Sequence, residues 1–319
     1  MDTTTSTSTS PDRGWHPLGP PPRVAPTAAL GMILAGGAAA LALRTGPGAD
    51  YSAIFPPVWT GLVGAGLLGI AVLLVLLGSG AAGRWAQGTA WTAAVVLLGA
   101  SGGVLLDGFR AFFAVTGIPA GDFSEVDVPG AIARACALVA SFSAVQFARR
   151  MRVRARSTLA AASGRGRLIV GLLGMLLCLP YPLLKLVWWM QGADGSFAVG
   201  FPGMELASFA AAAVVLIGLT STRTPIAAHV PLLVAGWAGA FSLLSMGSLM
   251  VVGMLAQVTG LAASPLALGD PDRIVLVSAV YGTWLLLGSA LAAATVLSGE
   301  AHPARAPRGV RDDASRGQG

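Results

Sequence analysis

Five charged residues stand inside the long apolar runs of this 319-residue chain: Asp107, Arg110, Arg134, Lys185 and Glu205. Charges within hydrocarbon are costly, so each is a candidate functional group, with Arg44 at the end of the first run a sixth. Asp107 and Arg110 are three positions apart, which lets both sit on one helix face. Lys185 and Glu205 flank one loop and could pair across it. The chemistry open to such a set is ionic. The residues could line a polar, water-filled vestibule for a small ionic solute, form structural ion pairs, or snorkel to the headgroups. Arg44, Arg110 and Glu205 are shallow enough for the last. Arg134 and Lys185 lie deeper and need a protein partner.

A second feature is the stretch "LCLPYPLLKLVWWMQG". Pro180 and Pro182 remove backbone donors and should kink or break the helix. Shifted by 144 positions, Pro180 aligns with Gly36 and Tyr181 with Gly37. Helix-weakening pairs at matching places in two halves point to a transporter-type site, and an ordinary proline kink is the alternative. Trp188, Trp189 and Trp59 fit anchors at the membrane interface.

Other chemistries lack their residues. The histidines are His16 and His302 in the tails and His229 at the edge of a run, which argues against bis-His haem or a His-rich zinc centre. There is no P-loop motif. "ASGG" at 100–103 and "SMGS" at 245–248 have no histidine placed to activate a serine. Cys136 and Cys178, both inside apolar runs, read as buried reduced thiols. No catalytic residue, metal ligand or cofactor is expected.

The elements that must position these residues follow from composition. The chain is 55% hydrophobic and 11% charged, with mean hydropathy +0.74. A soluble domain carries about 25% charged residues. Eight apolar segments, near 27–44, 57–80, 88–109, 128–148, 167–190, 203–220, 228–256 and 273–298, are each about long enough to cross ~30 Å of hydrocarbon as a helix. They lack the alternation of barrel strands. The expected fold is an all-α polytopic membrane protein with eight transmembrane helices.

Arginine placement sets the expected orientation. Arg149, Arg150, Arg152, Arg154, Arg156, Arg165 and Arg167 mark the loop between segments four and five as cytoplasmic. Alternation then puts both termini inside, together with Arg84 and Arg223. Asp50, Asp122, Glu125, Asp127, Asp194, Asp270 and Asp272 fall outside, and the five intramembrane charges lie toward that outer side. The net charge of +6 is explained by topology and headgroups, so nucleic acid is not an expected partner. The bilayer is, with anionic lipid at the Arg149–Arg167 loop. Residues 1–26 and 299–319 read as disordered cytoplasmic tails without a secretory signal.

The chain also reads as a duplication. "GADYS" at 48–52 recurs as "GADGS" at 192–196, offset by 144. "LGM", "FP", a tryptophan (Trp91 and Trp237), "VTG" and "GD" recur in the same order at offsets of 143 to 148. The expected organisation is two parallel four-helix repeats, 27–148 and 167–298, joined by an Arg-rich linker at 149–166. Asp50 and Asp194 then read as loop residues of equivalent turns. Gly61, Ala65 and Gly69, and likewise Gly99 and Gly103, form small-residue faces for close helix packing.

"YPLLKLVWWMQGADGS" and "FRAFFAVTG" at 109–117 resemble a family of actinobacterial polytopic integral membrane proteins without an established activity. That likeness implies a fold and no mechanism. The first half departs from it, with Leu41 where Lys185 would align. The leading functional expectation is a non-enzymatic structural or interaction module of the bacterial cytoplasmic membrane. The alternative is a transporter or solute-binding protein with an outward polar vestibule at the five charges.

Overall fold

The computed structural model describes residues 25–49, 51–52, 55–77, 80–152, 163–191, 201–221, 224–259 and 271–301. Residues 1–24 and 302–319 of the tails, most of the Arg-rich linker, Asp50, Arg223, the "GADGS" stretch with Asp194, and Asp270 lie outside the described residues, while tail positions 25–26 and 299–301 belong to the first and last helices.

All regular structure among the described residues is helical: α1 (Ala25–Thr45), α2 (Trp59–Leu76), α3 (Gly80–Ala100), α4 (Val104–Thr116), α5 (Val128–Arg152), α6 (Ser163–Leu177), α7 (Pro180–Met190), α8 (Gly203–Thr220), α9 (Ile226–Val258) and α10 (Pro271–Ala301), with a 3₁₀ turn at Gly121–Ser124. These helices form eight spans long and apolar enough to cross a membrane. α3 with α4 makes the third span, and α6 with α7 the fifth. The chain is a polytopic integral membrane protein.

The packing inverts the soluble pattern. Large apolar side chains such as Leu30, Ile33, Leu73, Leu172 and Ile217 are exposed, while alanines fill the interior of the first four spans. Lipid solvates the large side chains as well as a core would, so helices associate through small residues that let backbones approach. The small-residue face of α2 shows this: a Cβ at Gly61 would stand 3.2 Å from the Ala39 side chain on α1.

Two rings of helices result. α1 packs on α2 and α5, and α3 also packs on α2 and α5. α6 packs on α8 and α10, and α9 also packs on α8 and α10. Each ring has its own core, one drawn from Ala25 to Met151 and the other from Val170 to Ala294. The first is alanine-rich; the second is built from Leu216, Leu219, Leu287, Leu291 and Phe209. α3 and α4 meet α9 between the rings. There the Ser245 hydroxyl donates to the Ser101 carbonyl at 3.2 Å, and the Ser248 hydroxyl to the Leu98 carbonyl at 3.3 Å.

The breaks in the helices correct one expectation. α1 runs without interruption through Gly36 and Gly37. A Cβ at Gly36 would stand 3.5 Å from the Ala65 side chain, and one at Gly37 would meet open space. The first half breaks instead in its third span, at Ser101–Gly103. Gly103 has φ +93°, and a Cβ there would lie 3.0 Å from the Phe55 ring, so both conformation and space require glycine. In the fifth span the break falls at Cys178–Leu179, just ahead of Pro180 and Pro182. Pro180 opens α7, where its missing N–H would be unpaired in any case.

Candidate functional site

Three of the five charges converge. Arg134 on α5 forks onto Asp107 on α4, with Nε at 2.5 Å from Oδ2 and Nη2 at 3.0 Å from Oδ1. Both residues are 3% exposed. A buried arginine–carboxylate pair in this two-pronged geometry is among the strongest polar contacts available to a side chain. The break at Ser101–Gly103 makes it possible, because α4 restarts with Asp107 in its first turn.

Asp127 completes the cluster and lies just outside the span that begins at Val128. Its Oδ2 is 3.8 Å from Arg134 Nη2. Its Oδ1 accepts the Gly130 N–H at 3.1 Å, which makes Asp127 the N-terminal cap of α5. The same oxygen accepts the Gly48 N–H at 3.0 Å, and Oδ2 accepts the Ser52 hydroxyl. Burial pushes the Asp127 carboxyl up. The Ser52 hydroxyl, the Gly48 and Gly130 amides and the Arg134 charge outweigh burial and hold it below its ordinary value.

The loop after α1 is thereby tied to α4 and α5. The Tyr51 hydroxyl donates to Asp107 Oδ1 at 3.2 Å and accepts the Asp127 N–H at 2.7 Å. Burial raises the Tyr51 phenol above its ordinary value against the pull of that amide, so it remains a donor. Phe55 lies under the Arg134 guanidinium, 4.4 Å from ring centroid to Cζ. Arg110 closes the outside of the knot. Its Cζ is 3.7 Å from the Tyr51 ring centroid and 4.5 Å from that of Phe123, and Nη1 donates to the Asp122 carbonyl at 3.0 Å. Arg110 Nε is buried without a hydrogen bond, and the two ring faces supply the attraction in its place.

Lys185 and Glu205 belong to the other ring of helices and are not part of this knot. Lys185 Nζ sits 5.8 Å from the Tyr181 ring centroid and 5.7 Å from that of Trp188. Among the described residues no ion pair joins Lys185 to Glu205. Glu205, in the first turn of α8, instead edges a cavity of about 540 Å³ between α7, α8, α9 and α10. Tyr181, Phe209 and Trp284 form one side of it. Leu105 of α4 also reaches its wall, so the helices that restart after the two breaks, α4 and α7, both border this space.

Sequence reasoning missed Asp127, Tyr51, Ser52 and Phe55 as members of the cluster. Three lie in loops, where hydropathy gives no reason to single out a polar side chain, and Phe55 passes for an interfacial apolar residue. The usable signal was local: Asp127 precedes "VPG", an acidic residue directly before a proline-containing first turn. Comparison of the chain with family models, curated proteins and solved structures finds no match, so the likeness carried by Phe109–Gly117 and Tyr181–Ser196 assigns no family.

Proposed function

We propose that this protein is a non-catalytic interaction module of the bacterial cytoplasmic membrane, with both termini cytoplasmic, built from two parallel four-span units. The observation that supports it most is the Asp107–Arg134–Asp127 knot. The charges a reaction or an ion path would need free are engaged in holding the loop after α1 against α4 and α5. The rings of spans one to four and five to eight repeat one pattern of neighbours. Trp91 and Trp237, at matching places in the two halves, line one cavity of about 380 Å³ between them. The Arg149–Arg167 segment supplies the surface for anionic lipid or an acidic partner.

The test removes both charges together, Asp107→Leu with Arg134→Met, and follows membrane insertion and native-gel mobility. Insertion with unchanged mobility agrees with a structural role. A folded protein whose native assembly is lost places the charges in a functional contact instead.

One observation favours a second reading, a solute-binding membrane protein: the 540 Å³ cavity edged by Glu205 and bordered by both restarted helices. Discontinuous spans meeting at a cavity are the usual setting of a solute site in a transporter.

A further inference from the structure

The cavity at Glu205 has a definite chemical bias. Among the described residues Glu205 is the one ionisable carboxylate on its wall, and no described lysine or arginine lines it. Among the described residues Glu205 has no hydrogen bond or ion pair. A half-buried carboxylate beside an apolar space is stabilised by any cation that reaches it. The rings next to it form a continuous wall. Tyr181 stacks on Phe209 at 5.4 Å and meets the edge of Trp284 at 4.7 Å. Aromatic walls with a nearby carboxylate suit alkylated ammonium groups, which are attracted to ring faces and shed water easily. Away from Glu205 the lining is largely apolar, with Leu243, Met246 and Leu287 extending toward the middle of the helices. The volume is within the range of small-molecule sites, about 300–1,000 Å³.

We propose that this cavity binds an alkylammonium amphiphile. Its cationic head lies at Glu205 against Tyr181 and Trp284, and its chain follows Leu243 and Leu287. The inference rests on the solute-binding reading and names the ligand class for it. A site for an anion or a neutral lipid predicts no dependence on the Glu205 charge.

The experiment uses the full chain in a neutral detergent, with decyltrimethylammonium as probe and a neutral and an anionic decyl compound as controls. Binding is read by the shift in unfolding temperature. The expected result is a shift with the cationic probe only, weakened about tenfold by Glu205→Gln and largely kept by Glu205→Asp. Ser242→Phe, which fills the cavity, should abolish it. Equal responses to all three probes, lost in Ser242→Phe but unchanged in Glu205→Gln, would overturn the ammonium assignment and leave the cavity as a solute site. No response to any probe would overturn the solute-binding reading itself. Nanodiscs separate the sources of the ligand. With net surface charge held equal, weaker probe binding in ethanolamine-headed lipid than in lipid without an ammonium group identifies the bilayer as the supplier; equal binding identifies a soluble amphiphile.

Discussion

The Ser245 hydroxyl donates to the carbonyl of Ser101 at 3.2 Å, and the two residues are 144 positions apart, the offset that relates "GADYS" to "GADGS". If the two halves are related by a pseudo-two-fold axis along the membrane normal, as we propose, such equivalent positions come together where the third and seventh spans meet. The double variant Ser101→Cys with Ser245→Cys should therefore form an intramolecular disulfide under mild oxidation. Cleavage at a protease site inserted in the 153–162 segment reads it out: the halves stay joined until reduced. Halves that separate without reductant would argue against this contact and the symmetry inferred from it.

Asp127 makes the knot sensitive to acid. Its folded carboxyl is held below the ordinary 3.8, so the unfolded chain binds this proton more tightly than the folded one. The stability it contributes is complete above that ordinary value and is lost as pH falls through the lowered folded value. Unfolding midpoints of wild type and Asp127→Asn should differ at neutral pH and converge in acid. A gap that stays constant with pH would show that the carboxylate charge is not what Ser52, Gly48 and Gly130 respond to.

Gly103 sets the restart of α4 and hence the position of Asp107. Gly103→Ala places a side chain at φ +93° and against the Phe55 ring. A loss of about 1–2 kcal/mol is expected from the backbone alone, with more from the contact. Urea unfolding checks the size. Thiol labelling of a cysteine at Ser52 should rise in the same variant, because the loop is pinned through Phe55 and Arg134.

The eight spans were legible because each needs only length and apolarity, and every one of the eight segments falls on a span, six of them single helices and two, the third and fifth, broken into two helices. The helix breaks were partly legible. Prolines mark the fifth span correctly, but a proline at the first position of a helix starts a segment instead of cutting one, so the break precedes Pro180. Gly36 and Gly37 looked equivalent to it by offset alone, yet glycine keeps its backbone N–H and can stay in a helix where proline cannot. The break at Ser101–Gly103 depends on Phe55, a contact across nearly fifty positions that no local pattern encodes. The five charges divided for a similar reason. Depth identified Arg134 as needing a partner, while the choice of Asp107 over Glu205 was made by which helices share a ring.

Orientation is open to direct test. A reporter fused after Arg156 should remain cytoplasmic, and one inserted after Phe123 should be exported. The arginines between the fourth and fifth spans set both outcomes. Export of the Arg156 fusion would invert the whole arrangement and place the Asp107–Arg134 knot at the cytoplasmic side.

The measurement that bears most directly on a structural role for the buried charges is a double-mutant cycle on Asp107 and Arg134, read by unfolding in detergent. Each single replacement, Asp107→Leu or Arg134→Met, leaves one buried charge unpaired and should cost about 3–5 kcal/mol. The double variant removes both and should recover most of that loss, giving a coupling of at least about 2 kcal/mol. Single variants that fold with near wild-type stability and show no coupling would contradict the account and return these charges to the pool of groups free to bind a solute.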